Sequence, residues 1–195
     1  MSKDIVEAIR IINQGGIVIF PTDTAFGIGC RIDNKQSVER LFKIRKRPLD
    51  QAMPVLVSSL EMAKIYAKDI APKVIEKLIK PYWPGALTII VSSNNDKVLS
   101  LIRGGGSTIG LRMPNNGTIL ELIAQVGVPI LGTSANFHGE STPFHLKDLN
   151  PELVSLVDFV LDGKCILKRA STVIDVTKLP WKILRQGALD TTMMI

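Results

Sequence analysis

The sequence GGIVIFPTDT occupies residues 15–24 and gives the clearest indication of the fold class. Its apolar run at 17–20 is short, rich in β-branched residues and preceded by glycines, which is typical of a strand buried on both faces. Pro21 ends this strand. Because ligands in open α/β sheets bind beyond the carboxyl ends of strands, Thr22 and Thr24 are candidate ligand-binding residues. The alternative is a turn whose Thr and Asp side chains only bond the local backbone.

Helical and extended patterns alternate on both sides of this strand. Ile5, Ile9 and Ile12 mark one face of a helix that the glycines at 15–16 end. Further helices are predicted near 38–47, 59–67, 74–81 and 119–126, and further strands at 54–57, 87–91, 107–113, 129–131, 156–160, 172–176 and 181–184. This order predicts an α/β fold with a twisted, open, mixed sheet and flanking helices, in one domain over residues 1–195 with no second domain.

Composition narrows the function class. The chain has 195 residues, 46% of them hydrophobic and 22% charged, which excludes wholesale disorder. No apolar run approaches the ~18 residues of a membrane span, and the N-terminus has no signal-peptide core, so we expect a cytoplasmic protein without a membrane partner. The two cysteines, Cys30 and Cys165, lack any zinc or disulfide spacing, and we expect reduced thiols without a role.

The charge balance favours an anionic partner. Lys and Arg number 24 against 18 Asp and Glu, a net charge of +6 that suits nucleic acid or nucleotide phosphate, although many proteins carry such a charge without either. The sequence has no P-loop, no complete dinucleotide fingerprint and only two histidines. Any catalysis must therefore depend mainly on Lys, Arg, Ser, Thr, Asn and backbone amides, the groups that bind anions. This points to phosphoryl or nucleotidyl chemistry.

Three more clusters are candidate anion sites. Residues 43–47 carry four positive charges, which fit a phosphate but also fit a solvated helix end. Arg112 lies on the polar face of the 107–113 strand and is either a bidentate ligand in a cleft or an exposed arginine. A cleft position predicts that Arg112→Ala reduces turnover strongly with little loss of stability. Residues 132–136 follow a predicted strand and carry hydroxyl and amide groups. They are candidates for contact with a phosphate or a base, and the alternative is a plain turn.

Taken in order, these segments resemble the YrdC-like family of threonylcarbamoyl-adenylate synthases. The resemblance covers residues 5–189 and rests on seven motifs: Pro21-Thr22-Asp23-Thr24 with Gly27-Ile28-Gly29-Cys30, Arg47-Pro48, Pro84-Gly85-Ala86-Leu87-Thr88, Ile109-Gly110-Leu111-Arg112-Met113-Pro114, Thr133-Ser134-Ala135-Asn136, Ser171-Thr172-Val173-Ile174-Asp175 and Leu184-Arg185-Gln186-Gly187-Ala188. The chain is similar to the short, single-domain form. The fold so implied resembles that of dihydroxybutanone-phosphate synthase, with a concave basic surface.

The resemblance also implies a reaction. L-threonine, bicarbonate and ATP would give threonylcarbamoyl-AMP and pyrophosphate, for the N6-threonylcarbamoyl modification of adenosine 37 in tRNA. Mg²⁺ would accompany ATP without a dedicated carboxylate site or organic cofactor. Expected partners are the three substrates, the threonylcarbamoyl-transfer machinery and tRNA itself. Two rival interpretations are an RNA-binding module without synthase activity and a related enzyme acting on another small acid.

Site residues follow from the resemblance, position by position. Arg45, Arg47 and Arg112 would be catalytic. The threonine ligands would be Thr22, Thr24, Thr133 and Ser171, and the ATP ligands would be Arg45, Lys46, Arg47, Thr108, Ser134, Asn136 and Arg185. Two positions depart from the family pattern. Arg45 replaces a lysine at the first basic position, and Leu56 occupies the place where longer members carry a histidine.

Overall fold

The computed structural model describes residues 2–191. Its α-helices are α1 Lys3–Asn13, α2 Lys35–Ile44, α3 Leu60–Tyr66, α4 Pro72–Val74, α5 Lys80–Tyr82, α6 Gly117–Val126 and α7 Pro151–Ser155. A π-helix, Ile75–Ile79, joins α4 to α5, and a 3₁₀ helix spans Leu146–Asp148. The strands are β1 Val18–Pro21, β2 Phe26–Gly29, β3 Val55–Leu56, β4 Leu87–Ser92, β5 Thr108–Arg112, β6 Ile130–Leu131, β7 Thr133–Ser134, β8 Phe159–Val160, β9 Thr172–Asp175 and β10 Lys182–Arg185.

Side-chain caps determine where several helices begin. Asn34 accepts a hydrogen bond from the Ser37 amide at the start of α2, and Asn116 does the same for Ile119 at the start of α6. Ser59 caps α3 in this way, as its sequence position predicted. The α6 helix ends at Gly127, whose φ of 77° is the left-handed conformation that glycine adopts most readily.

The strands form two mixed sheets where the sequence predicted one. The first has the order β7-β2-β1-β8, and the second has the order β10-β9-β4-β5-β3-β6. In the first, β1 is antiparallel to β2 and parallel to β8; in the second, β4 is antiparallel to β5 and parallel to β9. The predicted mixed α/β fold is thus confirmed, with its strands divided between two sheets.

The two sheets meet where the segment that follows β2 contacts β6. The Leu131 amide donates to the Cys30 carbonyl at 2.8 Å, and Arg31 forms an isolated antiparallel bridge with Ile130. Gly29 allows this approach, because a Cβ there would overlap the Leu131 carbonyl oxygen. The same junction brings β7 beside β2, so that loops from both sheets converge at one edge.

Two apolar clusters support the sheets. The larger contains Phe26, Phe42, Leu78 and Leu111, and the smaller packs α1 against α6 around Ile12, Phe20 and Leu122. In the part of the chain that the structure describes, no helix is long and apolar enough to cross a bilayer.

Most predicted elements are present, and the differences are local. Strands β2 and β7 and helix α7 were not predicted from the sequence. The helix predicted to end at Pro81 continues through that proline to Tyr82. Strand β5 lies between β4 and β3 and is buried on both faces from Ile109 onward. Arg112 is therefore 6% exposed, and the alternative of an exposed arginine is wrong.

Candidate active site

A cleft of about 200 Å³ lies at the edge where the two sheets converge. Both sheets contribute to its wall, together with the loops that follow β1 and precede β9. It is lined by Thr22, Thr24, Ala25, Phe26, Gly27, Arg47, Pro54, Leu56, Thr88, Arg112, Gly132, Thr133, Ser134, Thr142, Ala170, Ser171 and Arg185. Residues with hydroxyl or guanidinium groups share this wall with glycine and apolar residues.

The turn after β1 is tightly hydrogen-bonded. The Thr22 hydroxyl lies 2.7 Å from the Ala25 carbonyl, to which it donates, and 3.0 Å from the Thr24 hydroxyl. Both threonines are nearly fully buried and both line the cleft. The turn predicted as the alternative is therefore present, and both threonines also line the cleft, where their predicted contact with a ligand stays a prediction.

Arg112, at the end of β5, is held by three acceptors. Its Nε donates to the Gly85 carbonyl at 3.0 Å, Nη1 donates to the Thr24 hydroxyl at 2.8 Å, and Nη2 donates to the Asp23 carboxylate. Burial lowers the pKa of Arg112 below its ordinary value, an effect that the charge of Asp23 opposes and that of Arg185 reinforces. These three bonds fix the side chain, and within residues 2–191 one N–H group on each terminal nitrogen is left without an acceptor.

Arg45 lies behind the cleft wall. Its guanidinium donates to the Thr133 hydroxyl at 2.7 Å, to the Asn136 carbonyl at 3.0 Å and to Asn136 Oδ1 at 2.7 Å. Burial, followed by repulsion from Arg47, lowers the pKa of Arg45 to about 10, so the group is still protonated at neutral pH. Arg45 is thus bonded to the 133–136 loop and does not line the cleft, and its predicted contact with ATP phosphates stays a prediction.

The neighbouring basic residues separate. Arg47 lines the cleft and is held by the Gln51 and Ala52 carbonyls at 3.1 and 2.6 Å. Lys46 points elsewhere, with its ammonium 4.2 Å from the centroid of the Phe137 ring and 3.6 Å from Glu152. Lys46 itself has a positive φ of 51°, which is uncommon for a residue other than glycine.

A second polar group lies where β4 and β9 run side by side. The hydroxyls of Thr88 and Ser171 are 2.9 Å apart, and Arg185 Nη2 donates to the Ser171 hydroxyl at 3.0 Å. Arg185 Nε donates to the Ser171 carbonyl, so the guanidinium is held in the wall. Gly187 packs directly on the Ser171 backbone, an approach that a larger residue would prevent because its Cβ would overlap the Ser171 carbonyl group.

The electrostatics of the cleft favour an anion. Arg47, Arg112 and Arg185 all line it, and burial lowers the pKa of Arg47 and of Arg185. Within residues 2–191, neither Arg47 nor Arg185 forms a salt bridge, whereas Arg112 is paired with Asp23. Two guanidinium charges thus remain without a carboxylate partner in the described wall, which suits phosphate or carboxylate groups of a ligand.

Eight of the predicted site residues share this cleft: Thr22, Thr24, Arg47, Arg112, Thr133, Ser134, Ser171 and Arg185. The other four do not line it. Arg45 and Asn136 support the 133–136 loop from behind, Lys46 points toward Phe137, and Thr108 pairs with Ser92 at the far end of β5 from Arg112. The predicted contact of these four residues with ATP stays a prediction.

Sequence reasoning missed Thr88, Thr142 and Leu56 as wall residues, although Leu56 was noted as a departure from the family pattern. Thr88 ends one of the seven motifs, but it lies in an apolar strand, where threonine is common for its β-branching alone, and it was not predicted as a site residue. Asp23 belongs to a motif that the sequence analysis singled out, but its bond to Arg112 joins residues that are 89 positions apart.

Comparison with known proteins identifies the family. The model of the Sua5, YciO and YrdC proteins, described as "Telomere recombination", matches residues 10–187. The chain belongs to the Sua5/YciO/YrdC family. Over 183 residues it is 33% identical to the threonylcarbamoyl-AMP synthase of Pyrococcus abyssi, an alignment covering 93% of this chain and 53% of that protein. It is 30% identical over 188 residues to the uncharacterized protein YciO of Escherichia coli, covering 94% and 89%.

Solved structures of family members agree with the fold. The crystal structure of P. abyssi Sua5 complexed with L-threonine matches with a TM-score of 0.89 and 33% identity, over 94% of this chain and 54% of that one. E. coli YciO matches with a TM-score of 0.87 and 26% identity, over 98% and 92%. The Sua5/YciO/YrdC chain described here spans about half the length of the P. abyssi synthase and nearly the whole of YciO.

Proposed function

We propose that this protein is a threonylcarbamoyl-AMP synthase, which forms its product and pyrophosphate from L-threonine, bicarbonate and ATP. The observation that carries the proposal is the convergence of Arg47, Arg112 and Arg185 on one hydroxyl-lined cleft. The reaction brings together a carboxylate, a carbamate and a triphosphate, all of them anions. The 33% identical P. abyssi relative carries that name, and its structure was solved with L-threonine bound.

Arg112 is suited to the threonine carboxylate. An arginine has five N–H groups, and three of those on Arg112 are in hydrogen bonds. The other two can form the parallel pair that binds a carboxylate in bidentate fashion. In this proposal Thr22, Thr24, Thr133 and Ser171 surround the same ligand with hydroxyl groups.

Arg47 and Arg185 are suited to the phosphates. When the carbamate oxygen bonds to the α-phosphorus, the bond from that phosphorus to pyrophosphate breaks. Negative charge then increases on the phosphate oxygens. Guanidinium groups already held by carbonyls need little rearrangement to stabilise that charge. The Ser134 hydroxyl, which also lines the cleft, would contact the nucleotide, while Arg45 and Asn136 hold its loop in place.

Mg²⁺ fits this site as an ion that enters with ATP. Within residues 2–191 no group of three or more His, Cys, Asp or Glu side chains could hold a metal. The cleft offers hydroxyl oxygens instead, and Mg²⁺ in nucleotide enzymes is bound largely by phosphate oxygens and water. When bound, it would neutralise charge on the phosphates and assist the departure of pyrophosphate.

The product would serve tRNA modification. Threonylcarbamoyl-AMP is the activated donor for N6-threonylcarbamoyladenosine at position 37, and we propose that a separate cytoplasmic transferase machinery uses it. Direct contact with tRNA is a further part of this proposal, which the net charge of +6 favours.

Pyrophosphate release tests the proposal. Purified protein with ATP, Mg²⁺ and bicarbonate should release pyrophosphate only when L-threonine is added. Arg185→Ala should reduce that release strongly, because the variant removes a charge from the cleft wall. Arg31→Ala is the matched control, since Arg31 is partly exposed, pairs with Asp33 and does not line the cleft. Release that does not depend on L-threonine would overturn the proposal.

A second candidate is favoured by Leu56. This side chain is 1% exposed and lines the cleft next to Gly132, where longer family members are expected to carry a histidine. An apolar wall there would suit a substrate side chain without a hydroxyl group, so the enzyme would act on another small amino acid. Comparing pyrophosphate release with threonine, serine and valine separates the two, and a clear preference for valine would support the second candidate.

A further inference from the structure

The bond between Asp23 and Arg112 joins two residues with different access to the cleft. Arg112 lines the cleft, whereas Asp23 is 3% exposed and lies behind its wall. Within the described residues, Arg112 is the partner of the only hydrogen bond made by the Asp23 side chain, and the other carboxylate oxygen, Oδ2, has none. Any effect of the Asp23 carboxylate on ligand binding must therefore be exerted through its bond to Arg112.

Asp23 itself has little freedom to move. Its main-chain carbonyl accepts hydrogen bonds from the Ile166 amide at 3.1 Å and from the Leu167 amide at 2.8 Å. On the other side, the Thr22 amide donates to the Ala25 carbonyl at 3.1 Å and closes the turn around Asp23. A carboxylate carried by this fixed backbone is a rigid reference point for the guanidinium.

The geometry of Arg112 shows what that reference point determines. Gly85 fixes Nε, Thr24 fixes Nη1 and Asp23 fixes Nη2, so the guanidinium plane is defined at all three nitrogens. One N–H group on each terminal nitrogen remains for the cleft. Without the bond to Asp23, Nη2 has no protein acceptor within the described residues, and the plane can turn away from the ligand.

We propose that Asp23 is a positioning residue, which holds the Arg112 guanidinium so that its two remaining N–H groups face a carboxylate ligand in the cleft. The identity of that ligand, L-threonine, rests on the proposed function. Asp23 makes no contact with the substrate in this account, and its effect should be lost when Arg112 is absent.

A double-mutant cycle tests this role. Calorimetry gives the dissociation constant of L-threonine for the wild type, Asp23→Asn, Arg112→Met and the double variant. We expect Asp23→Asn to weaken binding about tenfold in the wild-type background and by less than about twofold in the Arg112→Met background. An equal loss in both backgrounds, or wild-type affinity in the folded Asp23→Asn protein, would overturn the proposal.

Arginine side-chain NMR provides a readout that does not depend on the ligand. Rotation of the Arg112 guanidinium about its Nε–Cζ bond should be slow in the wild type and clearly faster in Asp23→Asn. Unchanged rotation would overturn the positioning role even if Arg112→Met failed to fold. If the wild type bound no L-threonine, the proposed function would be wrong, whereas the rotation rate would still decide the role of Asp23.

Asp158→Asn is the matched control. Asp158 also pairs with an arginine, Arg40, but this ion pair lies outside the cleft. Asp158→Asn should leave both the L-threonine affinity and the Arg112 rotation rate within about twofold of the wild type. A control variant with the same defects as Asp23→Asn would show that general loosening, and not Asp23, controls Arg112.

Discussion

Arg45 and Asn136 are joined by two hydrogen bonds, one from Nε to the main-chain carbonyl at 3.0 Å and one from Nη2 to the side-chain oxygen at 2.7 Å. The same Asn136 oxygen accepts from the Ser134 hydroxyl, which lines the cleft. Arg45, which the family resemblance associates with phosphate, thus lies one layer behind the cleft wall. A guanidinium fits this position because its planar fork reaches three acceptors at once.

Arg45→Lys should lower both stability and ATP affinity. A lysine ammonium cannot reproduce the three directed bonds, and each buried acceptor left unsatisfied costs about 1–3 kcal/mol. Urea unfolding measures the first effect and calorimetry with ATP measures the second. Reduced stability with unchanged ATP affinity would contradict the link between Arg45 and the nucleotide through the 133–136 loop.

Thr88→Val should reduce turnover with little effect on folding. The substitution keeps the β-branched shape but removes the hydroxyl that lies 2.9 Å from the Ser171 hydroxyl. We expect kcat/KM for L-threonine to fall about tenfold, the scale of one lost hydrogen bond to a positioned group. Thr88→Ser is the matched control because it retains the hydroxyl, and equal losses in both variants would point to packing instead.

Arg112→Ala should abolish turnover and also destabilise the protein, whereas the sequence alone led us to expect little loss of stability. Removing the arginine leaves the buried Asp23 carboxylate without its partner, a change that costs about 3–5 kcal/mol. Denaturant unfolding should show that loss, and adding Asp23→Asn should recover part of it. Wild-type stability for Arg112→Ala would contradict the buried ion pair.

Asp158 should make stability depend on pH in the acid range. Burial raises the pKa of its carboxyl, but the bonds from Arg40 and from the Ile17 amide outweigh burial and hold the pKa below its ordinary 3.8. Its folded pKa is depressed, so its contribution is complete above about pH 5 and is lost as pH falls through 3.8 toward the folded value. Thermal unfolding between pH 6 and about pH 3 should show a smaller decline for Asp158→Asn than for the wild type.

The sequence predicted the elements whose patterns are local. The apolar run at 17–20 became β1, the helical spacing of Ile5, Ile9 and Ile12 became α1, and Ser59 began α3 as expected. Strand β2 was missed because two of its four residues are glycines, which have low strand propensity. Gly27 pairs with Phe20 of β1, whose ring covers the space where a Cβ would lie. The need for glycine at this position therefore comes from a neighbouring strand and not from β2 itself.

Site residues were predictable from sequence where a polar motif follows a strand. They were not predictable where their position depends on contacts with residues far along the chain. Thr22, Thr24 and Ser134 line the cleft because they follow or belong to strands at its edge. The roles of Arg45 and Thr88 depend on partners 91 and 83 positions away, Asn136 and Ser171. The resemblance to a family supplied the chemistry, but only the packing separates the residues that face the cleft from those that hold them.

Mass spectrometry of the product formed from ¹³C-bicarbonate tests the central claim most directly. Protein incubated with ATP, Mg²⁺, L-threonine and labelled bicarbonate should form threonylcarbamoyl-AMP with one ¹³C atom in its carbamoyl group, together with an equal amount of pyrophosphate. The folded wild-type protein forming no labelled adenylate with L-threonine, or forming it only with another amino acid, would contradict the account.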